Sequence, residues 1–156
     1  MPERRGPRVG PTLILGAVLA VGGCSALQGS SPEPTPRDFP GITAELFVQG
    51  IAVGRPVSGD AGCDDPTLIP TAIGFDASGL GVDSPIRARV YIFGDRAAFE
   101  RRRADVDTCV AAWAADPATV EFVDSSPFVL VVQGPVPAAF KAALVRAITT
   151  AAGNGG

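Results

Sequence analysis

Few side chains in this 156-residue sequence can do chemistry, and the missing types narrow the choice most. There is no histidine, so a Ser-His or Cys-His dyad, an imidazole metal site and an imidazole base are all excluded. Neither a Gly-rich phosphate loop followed by Lys-Ser/Thr nor a G-x-S-x-G elbow occurs. What remains is carboxylate and guanidinium chemistry. Asp60, Asp64 and Asp65 form an acidic cluster of the kind that offers oxygen ligands to Ca²⁺. Its spacing does not match an EF-hand loop and no Glu closes it; turn chemistry explains aspartates among glycines equally well, so no metal and no cofactor is assigned. Arg87, Arg89 and Tyr91 alternate along one stretch and could grip an anionic or sugar ligand. A plain solvated sheet face is the commoner outcome of such alternation. Ser125-Ser126 reads as a turn, and no base is nominated for it, Lys141 included.

These residues need elements to position them. Residues 86–93 alternate most clearly, with Ile86, Ala88, Val90 and Ile92 on one strand face and Arg87, Arg89, Tyr91 and Phe93 on the other. A strand over 68–76, where Pro70 suits an edge or a start, is expected to pair with it across a loop at 77–84. Asp95 has the chemistry of an N-cap. The helix expected over 96–115 carries Phe99, Val106, Val110 and Trp113 in one stripe with Cys109 beside it. Arg101-Arg102-Arg103, between Glu100 and Asp105, reads as its solvated face. Asp116-Pro117 ends it.

Strands over 120–123 and 128–133 turn at 124–127. Phe128 to Val132 is apolar on both faces, the mark of a central strand covered on both sides. A last helix follows Pro137 and buries Phe140, Leu144, Ala147, Ile148 and Ala151. Upstream, 39–53 holds a short helix with Thr43 as cap, and 54–66 reads as turns around Cys63. Ala97-Ala98-Phe99-Glu100 and Ala138-Ala139-Phe140-Lys141 lie 41 residues apart, each after two strands. That suggests a duplicated strand-strand-helix unit, though alanine is common enough here for chance. The expected class is α+β: an antiparallel sheet of about four strands with two or three helices packed against it.

Residues 1–23 follow the export pattern of a basic start (Arg4, Arg5, Arg8), an apolar run and small residues. The run is shorter than the roughly 20 residues that span a bilayer. Its end, Val21-Gly22-Gly23-Cys24, resembles the signal of bacterial lipoprotein precursors, with Gly22 the less usual occupant. The resemblance covers about the first 25 residues and names no family for the rest. It implies cleavage before Cys24, a diacylglyceryl thioether on its sulfur and often acylation, as by palmitate, of the new amine. Two or three acyl chains hold a protein at a membrane firmly. Residues 25–38 carry Pro32, Pro34 and Pro36 and read as an extended tether.

With Cys24 spent on lipid, Cys63 and Cys109 are left as a pair in a chain that leaves the cytoplasm, so a disulfide is expected. The alternative is two unrelated buried thiols. Losing residues 1–23 removes three Arg and one Glu, so 13 basic and 16 acidic groups become 10 and 15, and net charge goes from -3 to -5. Such a balance argues against a nucleic-acid partner and against electrostatic attachment to anionic lipid. The expected organisation is a signal peptide at 1–23, a lipidated Cys24 with tether at 24–38, one domain at 39–152 and a tail at 153–156. The expected function is a ligand- or protein-binding module, lipid-anchored on the extracytoplasmic face of the cell membrane. Its partners are the membrane through Cys24 and an envelope protein or small ligand. The other classes are a carboxylate-dependent hydrolase and a structural subunit of an envelope complex, marked by an exposed apolar patch.

Overall fold

The computed structural model describes residues 38–153; the leader, Cys24, the tether up to residue 37 and residues 154–156 lie outside the described residues. Helix α1 spans Asp38–Val48. Pro40 fits its first turn, and Ile42 and Leu46, one helical turn apart, are buried. Thr43 is not its cap: it lies inside the helix and donates to the Pro40 carbonyl at 2.9 Å. The helix ends in a Schellman arrangement. Gly50 (φ 85°) donates to Phe47 O, and Ile51 donates to Leu46 O, both at 2.9 Å; buried Ile51 and Leu46 supply the accompanying apolar contact.

The chain then forms an edge strand, β1 (Ala52–Ser58), where turns were expected. Gly54, Arg55 and Pro56 hide the alternation, because the register with the neighbouring strand slips between Gly54 and Val57. Pro56 costs nothing at an edge, where its missing donor faces no partner. A loop and a 3-10 turn at Ile69–Thr71 lead to β2 (Ala72–Gly79), and β3 follows at Val82–Ile92. Pro70 thus belongs to the turn, and β2 is an interior strand rather than an edge. The expected eight-residue loop shrinks to Leu80-Gly81, both with positive φ (51° and 88°), the conformation of a tight hairpin turn.

Helix α2 is Arg96–Trp113, capped by Asp95, whose carboxylate accepts from Ala98 N at 2.7 Å. Strands β4 (Glu121–Ser125) and β5 (Phe128–Val132) precede α3 (Ala138–Gly153). The five strands form one antiparallel sheet in the order β1-β2-β3-β5-β4, an α+β architecture with one strand more than expected. β5 lies inside it and is buried along its whole length, as its two-faced apolarity required.

Pleating divides the strands between two cores. Ile73, Phe75, Val90, Leu130 and their neighbours pack against α1 and α3, with Phe140, Leu144, Ala147 and Ile148 of α3 buried as the sequence indicated. Each large buried side chain contributes about 1.5–3 kcal/mol. Tyr91, Phe93, Val129 and Val131 on the opposite face pack under α2 and the 59–71 loop, meeting Val106, Cys109 and Val110. The two strand-strand-helix units therefore put their helices on opposite faces. A rotation that superposes β2-β3 on β4-β5 keeps the sheet faces in place, so the units differ in hand and are not rigid copies.

Candidate functional site

The alternating face of β3 is where the chemistry gathers, and it is covered unevenly. Helix α2 sits over the β3-β5-β4 side. The β1-β2 side is less covered, β1 being largely exposed while Gly74 and Asp76 of β2 are buried, and two cross-strand rows cross it: Val57, Gly74, Arg89 and Gly54, Asp76, Arg87. The floor between them is low because two of the six are glycines.

Of the three residues nominated on this face, the structure separates Tyr91 from the two arginines. Tyr91 is completely buried and donates to the Ala61 carbonyl at 2.7 Å; burial pushes its phenol up to about 12. It neither faces solvent nor can touch a ligand. Its task is to tie the 59–71 loop to the sheet, and α2 with that loop is what covers it. Cys109 Sγ lies 3.0 Å from the same carbonyl. Cys63 and Cys109 are joined as a disulfide, with Cα atoms 5.4 Å apart, which fastens the loop to α2.

The fastened loop delivers Asp60 to the arginines. Arg89 approaches Asp60 Oδ1 with Nε at 3.0 Å and Nη2 at 2.9 Å, and its guanidinium stacks 4.2 Å from the Trp113 ring centroid. Arg87 Nη2 donates to Asp60 Oδ2, and Arg87 Nη1 stands 3.4 Å from Asp76 Oδ1. Arg55 Nε donates to Asp76 Oδ2. The result is a ladder, Arg55–Asp76–Arg87–Asp60–Arg89, backed by Trp113. Neither arginine is part of a plain solvated face, since only 11% of the Arg89 side chain is exposed.

Electrostatics within the ladder follow from these contacts. Burial alone would raise the Asp60 pKa, but the hydrogen bonds and charges of Arg87 and Arg89 outweigh it and hold it below the ordinary carboxylate value. Burial would lower Arg87, and the two aspartates more than offset that. Gly74 makes the meeting possible: a Cβ there would stand 2.7 Å from Asp60 Cγ and collide with its carboxylate and with Arg87. At Gly62 a Cβ would press within 2.8 Å of both Arg89 Nε and Trp113 Cγ.

The acidic cluster does not converge. Asp65 instead caps its own turn, accepting from Thr67 N at 2.8 Å, Thr67 Oγ1 at 2.6 Å and Leu68 N at 3.1 Å. Those bonds, the Thr67 hydroxyl first, lower its pKa. Among the described residues, no three His, Cys, Asp or Glu side chains are grouped to hold a metal. The arginine run also departs from a solvated face: Arg102 pairs with Asp65 at 3.3 Å, while Arg103 meets Asp124 at 2.7 Å and lies 5.0 Å from the Phe122 ring. Lys141 pairs with Glu121. Two open depressions, of about 250 Å³ and 540 Å³, flank the disulfide.

Sequence reasoning missed Arg55, Asp60, Asp76, Gly74 and Trp113 as members of this site. One signal was present: a glycine in mid-strand marks a close approach, and Gly74 faces Arg89. Guanidinium does not deprotonate, and both carboxylates of the ladder accept from it. Comparison with protein-family models, with curated proteins and with solved structures finds no match to this chain.

Proposed function

We propose that this chain is a lipid-anchored binding module of the bacterial cell envelope, with the open half of its sheet as the working surface. The anchor rests on the Val21-Gly22-Gly23-Cys24 signal. The binding surface rests on one observation: three arginines and two aspartates gather on one face, from enclosed Arg89 to exposed Arg55, a local surplus of one positive charge. Residues 38–153 as a whole carry 9 basic and 14 acidic groups. Such a surplus attracts a ligand against the sign of the protein's net charge, which favours recognition over solubility as the reason for it. Asp60 and Asp76 are each paired with arginine, unlike the two cleft-facing carboxylates that glycoside hydrolysis uses.

A second reading, an assembly subunit, draws on Phe47 and Val48, which are 78% and 72% exposed at the end of α1. Three measurements test the proposal. Intact mass of the membrane-extracted protein is expected to begin at Cys24 with acyl chains added, and Cys24→Ala is expected to release it. Membrane retention of that variant with its leader uncleaved refutes the anchor. NMR of the arginine side chains, titrated with small anions, sugars and peptides, is expected to show saturable shifts at Arg55 and Arg87. Shifts confined to the Phe47 end of the molecule support the assembly subunit instead.

A further inference from the structure

The ladder is unsymmetrical, and its unspent capacity lies at one end. Arg89 is enclosed, and both its Nε and Nη2 serve Asp60. Arg55, at the opposite end, is 80% exposed. Among the described residues it makes one hydrogen bond, from Nε to Asp76, and so both terminal amino groups remain free. Its backbone is also unusual. Among the described residues, Arg55 is one of two non-glycines with positive φ, at 48°, and it sits where β1 slips register. Bulges re-aim side chains, and such strain gathers at functional positions. Here the bulge brings the Arg55 head to Asp76, the carboxylate it shares with Arg87.

We propose that the Arg55 end of the ladder, together with Arg87, is the seat of a carboxylate-bearing ligand with a small apolar body. This deepens the reading of the open half-sheet as a binding surface and rests on it. Two features set the ligand class. The face already seats two carboxylates in guanidinium contacts, so the geometry it offers is one that carboxylates satisfy. The surplus is a single positive charge beside two aspartates, which a monoanion neutralises, whereas a dianionic phosphate would leave one negative charge uncompensated beside those aspartates. The apolar body follows from Val57, which neighbours the bulge on the same face and is 49% exposed.

The test uses the full-length chain in zwitterionic detergent, with hexanoate as probe and arginine Nε–Hε signals as readout. Hexanoate is expected to move the Arg55 and Arg87 signals along a saturating curve. Its neutral isostere hexanamide, and chloride at matched ionic strength, are expected to leave them in place. Arg55→Gln changes an exposed side chain and is expected to raise the midpoint at least about tenfold, the loss of one charge-assisted contact. Arg55→Lys keeps charge without the fork and is expected to fall between. An unchanged midpoint in Arg55→Gln, or equal shifts with chloride, overturns the site. Saturable shifts of the same signals with hexanamide or sugars, and none with hexanoate, overturn the ligand class while the binding surface stands. Stillness of these signals towards every probe overturns both.

Discussion

Replacing Asp60 by Asn isolates what the ladder contributes to the domain itself. The substitution keeps shape and removes one negative charge from between Arg87 and Arg89, whose side chains are 30% and 11% exposed. Stripping the partner from a fully buried pair costs about 3–5 kcal/mol, whereas exposed pairs contribute about 0–1 kcal/mol. Asp60, at 20% exposed, stands between these limits. Arg87 also retains Asp76 and Arg89 retains Trp113, so about 1–2 kcal/mol is expected. For a domain of this size that is a melting temperature lower by about 4–12 °C, or a lower urea midpoint at unchanged slope.

The pH dependence gives an independent check. The folded-state pKa of Asp60 lies below its unfolded value, so its contribution is complete above about pH 4 and is lost as pH falls through the folded value. Wild type is therefore expected to lose its advantage over Asp60→Asn progressively below about pH 4, the two curves converging in acid. Equal stability of the two proteins at pH 7 would refute the argument, as would a constant gap down to pH 2.

Three further substitutions probe the framework. Cys63→Ser opens a 47-residue loop, counted from Cys63 to Cys109 inclusive, and is expected to cost about 4 kcal/mol on the chain-entropy argument; an unshifted melting temperature under oxidising conditions contradicts it. Gly74→Ala drives a Cβ into the Asp60 carboxylate and is expected to destabilise by about 1–3 kcal/mol, with the Arg89 side-chain NMR signals displaced. Gly41→Ala, in α1 with nothing within 4 Å of the new atom, is expected to stabilise by about 0.5–1 kcal/mol. Chemical denaturation of the pair separates close approach from helix propensity.

The contrast between β3 and β1 explains which parts of the fold were legible. From Ile86 onward β3 alternates, so its faces could be assigned there residue by residue, and Ala88, Val90 and Ile92 are buried where alternation put them. β1 pairs with β2 from the other side but is broken by Arg55 and Pro56 at a bulge, and periodicity counts fail across an inserted residue. The 77–84 stretch failed for a related reason. Leu80 adopts a left-handed conformation that leucine rarely takes, so Gly-Leu-Gly did not register as a two-residue turn. Helices α2 and α3 were readable because capping and apolar stripes are local: Asp95 caps α2, and Phe140 to Ile148 form one face.

Local order thus determined the α+β class, the two long helices, the faces of β3 and the inward turn of the last helix. Residue types alone removed imidazole chemistry from consideration. Tertiary structure decided the rest, because it depended on residues distant in sequence. Asp60 and Arg89 are 29 positions apart, and Asp60 reaches Arg89 only through a loop fastened by the Cys63–Cys109 bridge and Tyr91. The same covering buries Tyr91, which alternation had placed beside the arginines as an equal. Whether a side chain on a sheet face meets water, a carboxylate or a helix is set by what packs above it, and no spacing along one strand encodes that.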